Sequence, residues 1–305
     1  MKTTCNSAWL TVLFVAAAMP AMARGGLAFG PALVLVENIA PAGGETDVFG
    51  KGEMTFVIYN RSDQAGWYHL GAVNPGGDPR QWEKGYEAIP DASWCRLDID
   101  EVEVAAKTNQ KIRLFINVPA KPEYFNRKWM LYVTCAPGKK PQTPKATGVG
   151  LQVASRVQIE TASNAASNPA VGGALAIVPA QVSSSAAPSA ELEHSVKVSN
   201  NTKEDRRFKI LRLNEIEKEA EKYERYFGKD IVDGKPLEPV IGSTWITCAP
   251  AIELKAGETK EFTIKLTIPK DARPGGNFEE LLFLQDEKGL VNFLRVRTKI
   301  FGGGK

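Results

Sequence analysis

The chain has 305 residues, a formal net charge of +3 at neutral pH, four cysteines and two histidines. That length accommodates two domains of ordinary size, and so small a net charge excludes the basic surface of a nucleic-acid binder. With only His69 and His194, and with no His-Glu-x-x-His or Cys-x-x-Cys spacing, the usual zinc centres are excluded as well.

The N-terminus reads as an export signal. Lys2 precedes an apolar run from Ala8 to Met19, Pro20 ends it, and Ala21-Met22-Ala23 is a small-residue cleavage site. The run is shorter than the roughly 20 residues of a membrane-spanning helix. Residues 1–23 are therefore expected to be removed after Ala23, leaving a periplasmic or extracellular chain with no membrane span. Cys95, Cys135 and Cys248 remain in an oxidising compartment, where a disulfide is permitted.

Residues 24–160 read as a first domain of short strands separated by Gly, Pro, Asn and Asp. Its aromatic side chains form two groups. Trp94 and Trp129 lie in strand patterns and are expected in the core. Trp67, Tyr68, Trp82 and Tyr86 lie at strand ends or in a charged insertion, where exposed rings could stack on a glycan or anchor a protein. Asp98 and Asp100 alternate with Leu97 and Ile99, which is the wet face of a strand rather than a calcium site. A Cys95–His69 dyad has no oxyanion site near it in the sequence. Cys95 and Cys135 fall in the same domain, and a bridge between them would close a loop of about 40 residues, stabilising by roughly 4 kcal/mol. The alternative is that both thiols are simply buried. The last strand of this domain, Val149 to Ile159, alternates apolar and polar residues. It could be a core strand or a strand that completes a partner's fold.

Residues 161–173 carry no charge and one large apolar side chain, Val171, and read as an interdomain linker. Residues 174–305 then repeat the first domain. Phe56–Ser62 matches Val196–Thr202, Ile89–Trp94 matches Val240–Trp245, and Val104–Pro119 matches Leu254–Pro269 without a gap. Ile112, Leu114, Ile116 and Val118 correspond to Phe262, Ile264, Leu266 and Ile268, a strict period of two that leaves one face wet. One insertion breaks the pattern. Asn214 to Phe227 has an N-cap, Glu217 three residues on, an apolar face that includes Tyr223 and Phe227, and Gly228 as a stop. It is expected to be a short helix that covers a sheet edge or meets a partner. The expected fold is thus all-β: two tandem immunoglobulin-like antiparallel β-sandwiches with a short helical insertion in the second.

The strings Ser243-Thr244-Trp245, Ile252 to Thr259 and Ile268 to Gly275 resemble bacterial secreted immunoglobulin-like modules. Such modules occur beside carbohydrate-active enzymes and in proteins that partner WxL-domain surface proteins. The first half matches them more loosely, with Lys107 at the turn glycine and Lys121-Pro122-Glu123 in place of Asp-Ala-Arg-Pro-Gly. The resemblance implies a fold, and one sandwich hosts many functions. No catalytic residue, metal or cofactor is expected. The favoured reading is a noncatalytic structural or adhesion protein of the cell envelope, with a protein partner. The alternatives are glycan or peptidoglycan binding through the first-domain aromatics, and a periplasmic assembly chaperone using residues 149–159.

Overall fold

The computed structural model describes residues 12–13, 26–50, 55–76, 83–138, 152–171, 173–212, 215, 231–232, 235–240 and 244–301. In chain order the strands are β1 (Val12–Leu13), β2 (Leu27–Gly30), β3 (Leu33–Ile39), β4 (Thr46–Asp47), β5 (Phe56–Asn60), β6 (Gly66–Val73), β7 (Glu87–Ala88), β8 (Cys95–Leu97), β9 (Glu101–Val104), β10 (Asn109–Ile112), β11 (Leu114–Ile116), β12 (Lys128–Pro137) and β13 (Val153–Thr161). They continue with β14 (Leu175–Val178), β15 (Gln181–Ala186), β16 (Glu191–Asn200), β17 (Arg206–Arg212), β18 (Ile231–Val232), β19 (Lys235–Pro239), β20 (Ile246–Cys248), β21 (Ala251–Leu254), β22 (Thr259–Thr267), β23 (Asn277–Asp286) and β24 (Gly289–Ile300).

The strands form two sandwiches, as the alternating pattern requires. In the first, the order β1-β3-β13-β12-β6-β9 makes one sheet, and β10-β5-β2 with β4-β11-β8 makes the face opposite. In the second, β15-β24-β23-β17-β21 faces β14-β16-β22-β20. Each has its own apolar core. Val34, Phe56, Ile58, Ile112, Leu114, Trp129, Val157 and Ile159 pack in the first. Val196, Val198, Phe208, Ile264, Leu266, Leu282 and Val296 pack in the second. These are the period-two positions of the sequence, buried because alternate side chains of a strand share one face.

The repeat extends to single residues. The chain changes sheets between β2 and β3 at the cis bond Gly30-Pro31, and between β14 and β15 at the cis bond Val178-Pro179. The strand after each crossover pairs in parallel with the last strand of its sandwich, β3 with β13 and β15 with β24. After β6 and after β17 the chain makes its excursion and returns as a short parallel strand, β7 on β12 and β19 on β23. The first excursion includes Trp82. The helix expected over Asn214–Phe227, with Tyr223 and Phe227, lies outside the described residues except for Glu215, which accepts from the Arg212 amide at 2.6 Å. Lys107 (φ +57°) occupies the left-handed position that Gly257 (φ +72°) fills in the second sandwich. A lysine there accepts a backbone conformation that glycine adopts without steric conflict.

Two expectations are corrected. Trp94 is not in the core interior: like its repeat counterpart Trp245 it is half-buried at the edge of its core, its ring tilted against Tyr124 at 4.9 Å as that of Trp245 is against Phe278 at 4.8 Å. Trp129 is the fully buried indole instead. Cys95 and Cys135 are free thiols, as is Cys248. Cys95 belongs to β8 and Cys135 to β12, in opposite sheets, and each takes an apolar packing position. Cys135 lies across from Leu70 just as Leu284 lies across from Ile210. Burial pushes the Cys95 and Cys135 thiols up to about 12.

Candidate functional site

Of the aromatic group read from the sequence, Trp67, Tyr68 and Tyr86 are described, and these three do not share one surface. Tyr68 is buried in the first core, and Trp67 is half-buried on the opposite face of β6 beside His69. Trp82, Tyr223 and Phe227 lie outside the described residues. Tyr86 is buried, 6% exposed, between the two sandwiches, so its ring is not a surface platform. His69 sits on the outer face, its Nδ1 2.9 Å from Glu101 Oε1, while Cys95 is in the core; the two form no dyad. His194 lies in β16, where burial lowers its pKa. Among the described residues no three His, Cys, Asp or Glu side chains gather at metal-binding distance.

What the structure does assemble is a buried polar joint. Arg295, on β24, is 1% exposed. It forks onto Glu160 at the end of β13, Nε donating to Oε2 at 2.6 Å and Nη2 to Oε1 at 2.6 Å. Nη1 donates to Glu279 of β23 at 3.1 Å, and Nε lies 3.3 Å from Glu37 of β3. Two residues on, Arg297 donates to Glu279 at 2.6 Å and to Glu37 at 2.8 Å. The Tyr86 hydroxyl donates to Glu160 at 2.5 Å, and its ring packs on Phe293 at 5.6 Å. Lys128, the first residue of β12, lies 4.5 Å above the Phe293 ring and donates to Asn292 at 3.2 Å.

The strand period explains the placement. Leu294 and Val296 point into the second core, so Phe293, Arg295 and Arg297 share the outer face of β24. That face meets the outer face of β3 and β13, where Glu37 and Glu160 stand. Three carboxylates, two guanidinium groups and one ammonium balance, and each guanidinium meets carboxylates from both sandwiches. An isolated buried charge would be costly; a paired and hydrogen-bonded set is tolerated and fixes geometry. Burial works against the Arg295 charge, but Glu160, Glu279 and Glu37 outweigh it and hold its pKa well above the ordinary value. Burial lowers Lys128 to about 8 despite the pull of Glu160. Burial, reinforced by Glu160, raises the Tyr86 phenol well above its usual range.

The connecting segment is tied into the same joint. Asn126, at φ +59°, accepts from the Asn164 and Ala180 amides at 3.0 Å each and donates to Asn164 O at 2.9 Å. Asn201 donates to Pro169 O and Gly173 O, both at 2.9 Å. Beside the joint lies a cleft of about 250 Å³ whose walls include Glu37, Lys128, Glu160, Ser163, Gln181 and Ser183. A second, of about 330 Å³, continues over Ser183, Ser184, Ser185, Arg297 and Lys299.

The sheet edges complete the picture. β13 is paired with β12 from Val153 to Glu160, but β3 joins its other side only from Arg156. Val153 to Ser155 therefore have a strand partner on one side only among the described residues, and Ala154 is exposed.

No family model matches this chain, and no curated protein does. Solved structures similar to it include a protein of unknown function from Porphyromonas gingivalis W83, at 12% identity over 90% of this chain and 100% of that one, with a TM-score of 0.34. The class 5 fimbriae chaperone CfaA is similar at 12% identity over 91% and 100%, TM-score 0.32. The E. coli chaperone DraB is similar at 10% identity over 90% and 96%, TM-score 0.28.

Proposed function

We propose that this chain is a noncatalytic, exported protein of the cell envelope that works by protein–protein contact, taking an extended segment of its partner along the start of β13. The observation that carries this reading is the open edge at Ala154, exposed and without a strand on the β3 side among the described residues, beside Ser155, which is buried with its hydroxyl donating to Pro31 O. A strand with one free edge offers unpaired N–H and C=O groups, and an added strand satisfies them while its alternate side chains meet the sheet face. Val153 and Val157 alternate toward the core along this strand, so a partner segment of matching period would extend the sandwich. An assembly chaperone is the specific form of this function. The rigid joint supports it: a buried, charge-balanced network holds both sandwiches as one platform, which suits recognition better than catalysis. Tyr68 and Tyr86 are buried and add nothing to the glycan reading, which is left to Trp67 and Trp82.

The test is site-specific photocrosslinking in the exporting cell. A photoreactive side chain at Ala154 is expected to yield a defined adduct whose crosslinked peptide comes from an extended segment of one partner. The same group at Glu193, exposed on β16, serves as the control. Equal adducts from both positions, or none from Ala154, would refute the β13 contact.

A further inference from the structure

The outermost strand of the first sandwich's larger sheet is not β3 but β1. Val12 and Leu13 pair antiparallel with Val36 and Leu35. These two residues lie in the apolar run that the sequence marks for removal. Once it is gone, the outer edge of β3 is bare over a stretch of four apolar residues, Leu33-Val34-Leu35-Val36, of which the last three are 0% exposed in the structure. No charge or proline interrupts that stretch, the usual protections of an open edge being absent.

The repeat supplies an internal comparison. β15 is the equivalent strand of the second sandwich: it follows the same crossover and pairs in parallel with the last strand. It is the terminal strand of its sheet, with no strand on its outer side among the described residues, and its sequence is Gln-Val-Ser-Ser-Ser-Ala. The edge that stands open is serine-rich and suited to water. The edge that carries a strand is apolar and suited to another strand.

We propose that the β3 edge is a second acceptor site, which takes an apolar extended segment of a protein partner antiparallel to β3 once the N-terminal segment has left. The N-terminal Val12-Leu13 pair stands in for that segment and shows both its chemistry and its direction. Because β3 runs parallel to β13, the incoming strand is also antiparallel to β13 and parallel to β12. The inference rests on the strand-addition reading above but uses a different edge, so the two can fail separately.

The experiment compares the full chain with a full chain carrying Val12→Pro and Leu13→Pro, which removes the pairing in cis without altering the sandwich. The probe is a fluorescent peptide with the sequence of residues 8–19. The Pro variant is expected to bind it saturably, at least about tenfold more tightly than the unaltered chain. Hydrogen exchange is expected to show the Leu35 amide, which faces β1, protected in the unaltered chain, opened in the variant and protected again by the peptide, while the Val34 and Val36 amides, which face β13, stay protected throughout. A peptide N-methylated at the positions of Val12 and Leu13 cannot pair and should not bind. Equal binding of the N-methylated peptide, equal protection in both chains, or self-association of the variant in place of peptide binding would each overturn the proposal. Loss of the Ala154 adduct with peptide binding intact would sink the β13 reading alone.

Discussion

Asn60 and Asn200 show how much of this fold hangs on single polar side chains. Asn60 donates to Gln64 O, Val104 O and Ala105 O and accepts from the Ser62 amide and hydroxyl. Asn200 does the same with Glu204, Leu254, Lys255 and Thr202. Each closes its own turn and ties it to the loop across the sandwich. Replacing either by Ala leaves buried backbone acceptors unmatched, and is expected to cost about 2–3 kcal/mol, seen as a lower denaturation midpoint at unchanged slope. The thiols make a second prediction at this scale. Cys95 and Cys135, raised to about 12 by burial, carry no thiolate at neutral pH, so the native protein should resist alkylation at both. After denaturation without reductant, the mature chain should titrate three thiols; one would mean that a bridge had formed.

At the scale of elements, the decisive contact is β24 against the outer faces of β3 and β13. Arg295→Met removes the positive centre of the joint and leaves Glu160, Glu279 and Glu37 facing one another, an expected loss of about 3–5 kcal/mol. Lys128 gives the joint a pH signature. Its folded pKa, about 8, lies below the unfolded value of 10.5, so between those values the unfolded chain binds more protons than the folded one. The contribution of Lys128 to stability then rises with pH across that window; the buried Cys95 and Cys135 thiols, held up to about 12 from an ordinary 9.0, oppose it from about pH 9, and Tyr86, whose pKa is raised, from about pH 10. The stability of the unaltered protein minus that of Lys128→Met should therefore rise from about pH 8 to about pH 10, the thiols and Tyr86 being common to both. A parallel pH dependence in both would refute the assignment.

For the whole molecule, the question is whether two sandwiches behave as one body. The segment 161–173 has the composition of a free linker, yet Asn126 and Asn201 hold it by hydrogen bonds at 2.9–3.0 Å. Limited proteolysis is therefore expected to spare it in the unaltered protein. In a variant carrying Arg295→Met with Asn126→Ala it should become the first site of cleavage, releasing two fragments. Calorimetry should report one transition before these changes and two after them. Early cleavage within the segment in the unaltered protein would show that the joint does not couple the sandwiches.

The sequence by itself determined what depends on period and local chemistry. Alternation assigned Ile112, Leu114 and Ile116 to a core, and the matched blocks paired Asn60 with Asn200. The tertiary structure decided what depends on which wet faces meet. Arg295 and Arg297, alternating with Leu294 and Val296, read as the solvated side of a strand, and so do Glu37 and Glu160. Only the docking of one sandwich on the other removes them from water and turns them into an ion network. The same docking buries Tyr86, which a chain-local reading placed on the surface. Period tells a residue which side of its own sheet it occupies. What lies on the far side of that face is set by contacts between Glu37 and Arg297, 260 positions apart, and no local pattern records them.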